Sequence, residues 1–230
     1  VYKLILILFL GGIPLFAAAQ QASLLVYKVQ EPGVENYISR ILVTPEKLRM
    51  DEGSDSGGYT LYDRRTGRIF NVDPEEQTVI VFEPPATQPQ PPQDMTLSIQ
   101  RKAEPQAPQV EGKTPVSIKL MVNKETCREL LVIDDSMTHA VAALRELYKA
   151  LARIQYPSAH MPGTNMSACE LSEYVYAPQR AWEHGLPLWD IMGDKRRLLV
   201  DFRKGFRVGD EMFQVPEGYE RIVPPPLTGN

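Results

Sequence analysis

From Ser23 to Phe82 the chain alternates short apolar runs with clusters of turn-forming residues. The runs at 23–30, 37–44, 47–52, 59–63, 68–72 and 78–82 read as strands. Glu31-Pro32-Gly33, Thr44-Pro45, residues 53–58, residues 64–67 and Asp73-Pro74 separate them. Successive runs start 14, 10, 12, 9 and 10 residues apart. That spacing leaves no room for crossover helices, so neighbouring strands are expected to pair antiparallel. Leu48 and Met50 fall on one side of their strand, and Lys47, Arg49 and Asp51 on the other. The pattern predicts a sheet with one covered and one solvated face.

Residues 84–115 interrupt this rhythm. Eight of these 32 positions are proline and six are glutamine, a composition that cannot bury enough apolar surface to fold by itself. We read about 84–94 and 101–115 as exposed, extended loop, with one strand marked by Met95, Leu97 and Ile99. Strands resume where Val116, Ile118, Leu120 and Val122 alternate with Ser117 and Lys119. Residues 126–133 form the second arm of a hairpin that turns at 123–125.

Residues 137–155 change period. Val141, Leu144, Tyr148 and Leu151 step by three and four, with Arg145, Glu146, Lys149 and Arg153 opposite. This is an amphipathic helix, started by Asp135 or Ser136 and ended before Pro157. Its stripe is suited to packing on the sheet. Ser167 and Glu170 form a capping box for a second helix, and Pro178 opens a short turn that ends at Gly185. The tail returns to strands at 186–191, 195–204 and 212–215.

The first nineteen residues have another character. Lys3 is their one charge, residues 4–10 are all apolar, and Ala17-Ala18-Ala19 closes the segment. This is the pattern of a secretory signal. Gly11, Gly12 and Pro14 break it too early for a ~20-residue membrane span. A signal peptide at 1–19 followed by a single domain at 20–230 is therefore expected, exported and periplasmic, with no transmembrane span in the mature chain. A net charge of −4 supplies no basic face for nucleic acid. Cys127 and Cys169 are the two cysteines, and an oxidising compartment favours a disulfide between them. Two buried thiols or a metal site are the alternatives. No His or Cys lies at short ligand spacing from either cysteine, so zinc is not expected. A bond would place the two Cα atoms about 4.4–6.8 Å apart.

No catalytic constellation emerges. Ser54-Asp55-Ser56-Gly57-Gly58 resembles the nucleophile loop of a serine protease, but His139, His160 and His184 all follow it, against that fold's chain order. A strand-connecting turn explains the same letters. No phosphate-binding glycine loop is present, and no metal or cofactor is implied.

The meander residues Ile41-Leu42-Val43-Thr44-Pro45-Glu46-Lys47-Leu48-Arg49-Met50-Asp51 are followed by Leu61-Tyr62-Asp63, Arg68-Ile69-Phe70-Asn71-Val72-Asp73 and Thr78-Val79-Ile80-Val81-Phe82. With Phe213-Gln214-Val215-Pro216-Glu217-Gly218-Tyr219 near the end, the chain resembles secreted bacterial families of unknown function within the superfamily of the LolA and LolB lipoprotein carriers. The resemblance covers about 22–82 and the last twenty residues. It implies an α+β fold, a curved antiparallel sheet forming an unclosed β-barrel, with helices covering the concave face over an apolar cavity. It carries over no catalytic residue. The expectation is a non-enzymatic binding protein that holds a lipid, an acyl chain or a lipoprotein anchor. Leu48, Met50, Val141, Leu144, Tyr148 and Leu151 are its cavity-lining candidates. The alternative is an envelope sensor or assembly factor that contacts a partner protein through the Pro/Gln-rich loop.

Overall fold

The computed structural model describes residues 19–225. The export segment expected at 1–19 lies outside them except for Ala19, which opens the first strand. The meander forms as its spacing predicts: β1 (Ala19–Gln30), β2 (Tyr37–Val43), β3 (Lys47–Asp51), β4 (Tyr59–Asp63), β5 (Ile69–Asp73) and β6 (Thr78–Phe82). After the proline-rich segment come β7 (Leu97–Ala103), β8 (Val116–Val122) and β9 (Glu125–Ile133), then helix α1 (Thr138–Ala159). A short helical passage follows: α2 (Ala168–Glu170), a π-helical turn (Leu171–Tyr176) and a 3-10 turn (Pro178–Trp182). The chain ends with β10 (Leu186–Met192), β11 (Lys195–Gly209), a 3-10 turn (Asp210–Phe213) and β12 (Glu220–Ile222).

Among the described residues twelve strands make one unclosed sheet, in the order β12-β6-β5-β4-β3-β2-β1-β11-β10-β9-β8-β7. Every pairing is antiparallel except β12 on β6, which is parallel. The sheet is therefore mixed and not purely antiparallel. A flat sheet of this width would span ~50 Å at ~4.8 Å per strand. One apolar cluster nevertheless runs from Ile69 on β5 to Ile118 on β8 beneath α1 and Trp182. So few helical residues can cover that span only if the sheet bends around them. We call the face that carries α1 the inner face.

The proline-rich segment has a topological task. Consecutive strands β6 and β7 lie toward opposite ends of the sheet, so residues 83–96 must cross from one end to the other. Fourteen residues in polyproline geometry reach ~43 Å, and Pro84, Pro85, Pro89, Pro91 and Pro92 keep them extended. Pro89 is buried, so this strap is partly anchored and not wholly exposed. Residues 101–103, expected as loop, belong to β7.

Other boundaries moved for identifiable reasons. Helix α1 runs through Pro157 to Ala159 because the missing N–H falls in its last turn, where His160 N–H returns to Pro157 O. Its N-cap is Met137 in a left-handed conformation without a side-chain cap, since the Ser136 hydroxyl donates to Glu111 instead. The capping box forms as expected: Glu170 N–H donates to Ser167 Oγ and Ser167 N–H to Glu170 Oε2. Asn123 and Lys124, both at positive φ, make the tight β8–β9 turn. Gly185 ends the helical passage at φ +118°, with its α-carbon so close to Ile133 O that a Cβ would overlap it. Residues 212–215 are not a strand.

They belong to a cover on the outer face. Met212, Phe213 and Val215 pack on Leu24, Leu42 and Leu61, and Val215 and Tyr219 continue onto Val72 and Val79. The expectation that Lys47, Arg49 and Asp51 face water is overturned here. Lys47 Nζ donates to Phe213 O, Arg49 Nη1 to Met212 O and Tyr59 O–H to Gln214 O. Arg49 also lies over the Tyr59 ring and pairs with Asp51.

Candidate functional site

Arg128, Asp190 and Arg197 sit at inward positions of β9, β10 and β11, where alternation would otherwise place apolar side chains. Leu130 and Val132 continue the inward row on β9. Two backbone irregularities prepare the cluster. The β8–β9 register slips between Leu120 and Met121, leaving Cys127 as the extra residue. The β9–β10 register slips between Pro187 and Trp189, just before Asp190. Bulges of this kind re-aim the side chains beside them.

Cys127 thereby meets Cys169 across the inner face. The two form a disulfide with Cα atoms 5.2 Å apart, inside the expected range. The bond ties β9 to the start of the helical passage, and the π-helical turn beyond it delivers Glu173. Its wider winding is a local departure from α geometry of a sort that recurs at functional sites.

The charges interlock. Arg128 Nε and Nη2 donate to the two oxygens of Asp190, each at 2.7 Å, and Nη1 donates to Glu173 Oε2 at 2.9 Å. Arg197 donates Nε to Asp190 Oδ2 at 2.8 Å, and its Nη2 also bonds that oxygen. Its Nη1 reaches the Tyr148 hydroxyl at 3.4 Å. Burial alone would raise the Asp190 pKa, but Arg197 and Arg128 outweigh it and hold the carboxyl below the usual range. Burial would likewise favour neutral arginines, and Asp190 keeps both firmly protonated. For Glu173 the balance reverses. Burial pushes its carboxyl up, and Arg128 offsets this only in part. The Glu173 side chain is 1% exposed, yet its Oε1 has no hydrogen-bond partner.

A pocket of about 180 Å³ opens above this floor, walled by Tyr148, Leu151, Tyr174 and Met192. Tyr148 stacks on Trp182, with ring centroids 6.0 Å apart. Lys195 stands at the rim, bound to Glu31 at 2.6 Å. Glu31 also accepts from Tyr37 at 2.5 Å. Burial and that carboxylate push the Tyr37 hydroxyl up to about 12.

The six cavity-lining candidates do not share one cavity. Tyr148 and Leu151 line this pocket. Leu48 and Leu144 are buried in the packed inner core, and Val141, also part of that core, lines a separate open pocket of about 370 Å³ at the start of α1. Met50 instead lines an open groove of about 470 Å³ on the inner face of β2–β6, where Glu52, Thr60, Asn71 and Asp73 give it a polar character. Sequence reasoning missed Arg128, Glu173, Asp190 and Arg197. For Arg128 a signal was present: it stands two residues before Leu130 and four before Val132, a charge in an apolar row. His139 and His184 lie away from this pocket, and His160 Nδ1 and Nε2 contact Tyr156 O and the Tyr176 hydroxyl. Among the described residues no three His, Cys, Asp or Glu side chains are placed to hold a metal. No described helix is long and apolar enough to cross a membrane.

No family model matches the chain, and no curated protein matches it. Among solved structures, an uncharacterized conserved protein from Thermus thermophilus is 9% identical with a TM-score of 0.45, over 89% of this chain and 91% of that one. A structure of PNGF-II in the C2 space group is 11% identical with a TM-score of 0.38, over 89% of this chain and 31% of that one. Likenesses at this level carry no argument about function.

Proposed function

We propose that this chain is an exported, periplasmic binding protein that works without catalysis, and that its ligand site is the pocket between α1, the π-helical turn and β9–β11. One observation carries the reading. In the buried charge cluster beneath the helical cover the one carboxylate oxygen without a partner is Glu173 Oε1, and Glu173 lines the pocket. Leaving a buried acceptor unpaired costs about 1–3 kcal/mol, more when it is charged. A fold that only packed its cover down would gain by placing an apolar side chain there. The disulfide fits an oxidising compartment.

The volume bears on the ligand. About 180 Å³ lies below the ~300–1,000 Å³ of drug-sized sites. A lipid or lipoprotein anchor would enter by its head group, and an extended acyl chain would not fit. A relationship to the LolA and LolB carriers belongs to this proposal, supported by the unclosed sheet with helices on its inner face. The alternative of an envelope factor docking through the Pro/Gln-rich segment lacks comparable support, because the strap's span accounts for its composition.

The test is a ligand screen read by melting temperature and native mass spectrometry, on the wild type and on Leu151→Trp. The added ring should fill the pocket. Small polar ligands that stabilise the wild type and not the variant support the reading. A screen in which no compound distinguishes the two proteins overturns it.

A further inference from the structure

The charges around the pocket already balance. Arg128, Arg197 and Lys195 are matched by Glu173, Asp190 and the Glu31 that holds Lys195. A ligand with a net charge would leave that charge uncompensated in a half-enclosed site, a costly arrangement. A ligand without charges could donate a hydrogen bond to Glu173 Oε1 but would supply neither a counter-charge there nor an anion for the donors opposite.

The remaining hydrogen-bond capacity has two poles. Both Asp190 oxygens are occupied by the two arginines, and Arg128 is occupied by Asp190 and Glu173. The acceptor left over is Glu173 Oε1. On the donor side, Arg197 Nη1 has only the long contact to Tyr148, and Lys195 at the rim is 37% exposed, with donors beyond the one given to Glu31. Two tyrosine side chains, Tyr148 and Tyr174, stand in the wall, and aromatic faces favour cations. The volume equals about six waters at ~30 Å³ each.

We propose that the pocket takes a small zwitterion, its ammonium held by Glu173 Oε1 and its carboxylate or phosphodiester by Lys195 and Arg197 Nη1. This rests on the pocket being the ligand site. The same chemistry occurs in a free amino acid or aminoalkyl phosphodiester and in the head group of an aminolipid.

The experiment is isothermal titration of the full protein with two net-neutral zwitterions, β-alanine and the methyl ester of phosphoethanolamine, a phosphodiester. Propionate, which lacks the ammonium, and ethylamine, which lacks the anion, are the controls. Both zwitterions should bind at least tenfold more tightly than either control. Glu173→Gln should weaken them at least tenfold, and Lys195→Met should weaken the phosphoethanolamine methyl ester more than ethylamine. Circular dichroism and melting curves establish that each variant is folded. Should Glu173→Gln not fold, Tyr174→Ala at the exposed edge of the wall serves instead, with an expected three- to tenfold loss. Sedimentation with phosphatidylethanolamine or phosphatidylcholine vesicles separates the sources. Preference for phosphatidylethanolamine, whose ammonium carries N–H donors, assigns a head group, and binding of the soluble zwitterions alone assigns a free compound. Zwitterions that bind no better than propionate and ethylamine, or equally well to a folded Glu173→Gln, overturn the proposal. If another compound still binds in a manner abolished by Leu151→Trp, the pocket remains the ligand site and only its ligand class is wrong.

Discussion

The two halves of the sheet bury opposite faces. From β8 to β1 the inner face is sealed by α1, the π-helical turn and Trp182, and on the outer face, where the tail reaches Ala22, Leu24 and Val208, Leu198 and Val200 stay 49% and 50% exposed. From β2 to β6 the outer face is sealed by the C-terminal tail, and much of the inner face is an open groove. Each half places charges beneath its cover, but differently. Under the tail, Arg49 and Lys47 donate to backbone carbonyls of the cover itself, so those charges fasten the cover down. Under the helices, Arg128 and Arg197 spend their donors on Asp190 and Glu173, and one carboxylate oxygen is left over. One arrangement closes a face. The other leaves a pocket with an unpaired carboxylate oxygen.

The largest expected effects ask whether the covers differ in this way. Asp190→Asn leaves two buried arginines without their shared counter-ion and should cost at the upper end of about 3–5 kcal/mol. Phe213→Ala opens the tail's apolar contact and should cost about 3 kcal/mol, the lower end for a buried phenylalanine, because the tail can resettle over an apolar face. Chemical denaturation checks both. If Phe213→Ala proved the costlier, or if Asp190→Asn were nearly silent, the helical half would be held by apolar packing and the contrast would fail.

That contrast was half legible in the sequence. Turn clusters and spacing located β1 to β6 because each run is short and bounded by glycine, proline or aspartate. The stripe Val141, Leu144, Tyr148 and Leu151 located the cover for the same local reason. Alternation cannot say what lies against a face, however. Arg49 and Asp51 read as solvated because the residues covering them, Met212 and Phe213, are more than 150 positions away. Glu173 was invisible as a site residue, since its inward aim depends on the π-helical turn. Arg128 was legible in principle. A charge in the row with Leu130 and Val132 must be buried and paired, although its partners came from β10 and the π-helical turn. The strap was read from composition alone, and its function appeared only with the strand order that puts β6 and β7 far apart.

The disulfide belongs to the helical half alone. Replacing Cys127 and Cys169 together by serine reopens a loop of 42 residues' separation and should cost about 2–4 kcal/mol. Hydrogen exchange should rise first in Leu171–Tyr176, and the β3–β6 amides should keep their protection. Equal loss in both halves would mean that the covers unfold as one unit. The effect of pH is smaller and has a definite sign. The folded Glu173 carboxyl titrates above its ordinary value of 4.5, so between that value and its raised one the native state binds more protons than the unfolded state. Its contribution to stability therefore falls as pH rises through this window. Asp190 acts oppositely: its contribution is present above its ordinary 3.8 and is lost as pH falls through its lowered value. The wild type's melting temperature relative to Glu173→Gln should accordingly decline as pH rises from 4.5. A flat difference would show that the Glu173 carboxyl titrates as it does in the unfolded chain.

The smallest expected effect concerns an ion pair between the helical cover and the β2–β6 half. Arg64, in the turn after β4, donates Nε and Nη2 to the two oxygens of Glu146 on α1, at 2.8 and 2.9 Å. Its Nη1 reaches Pro45 O at 3.0 Å and His139 Nε2 at 2.8 Å. Because the guanidinium can only donate, His139 must accept through Nε2 and carry its hydrogen on Nδ1. Burial lowers the His139 pKa, and Arg64 lowers it further. Glu146 is 42% exposed, so Arg64→Ala should cost only about 0.5–1 kcal/mol, close to the error of a denaturation curve. The histidine is the sharper reporter. Without the neighbouring cation its NMR titration should move up, since Glu146 and Glu46, which raise it, remain. Exchange protection should weaken in the first turns of α1 and hold near Trp182. An unmoved His139 titration would show that Arg64 and α1 part company in solution, leaving the helical cover held to its own half of the sheet.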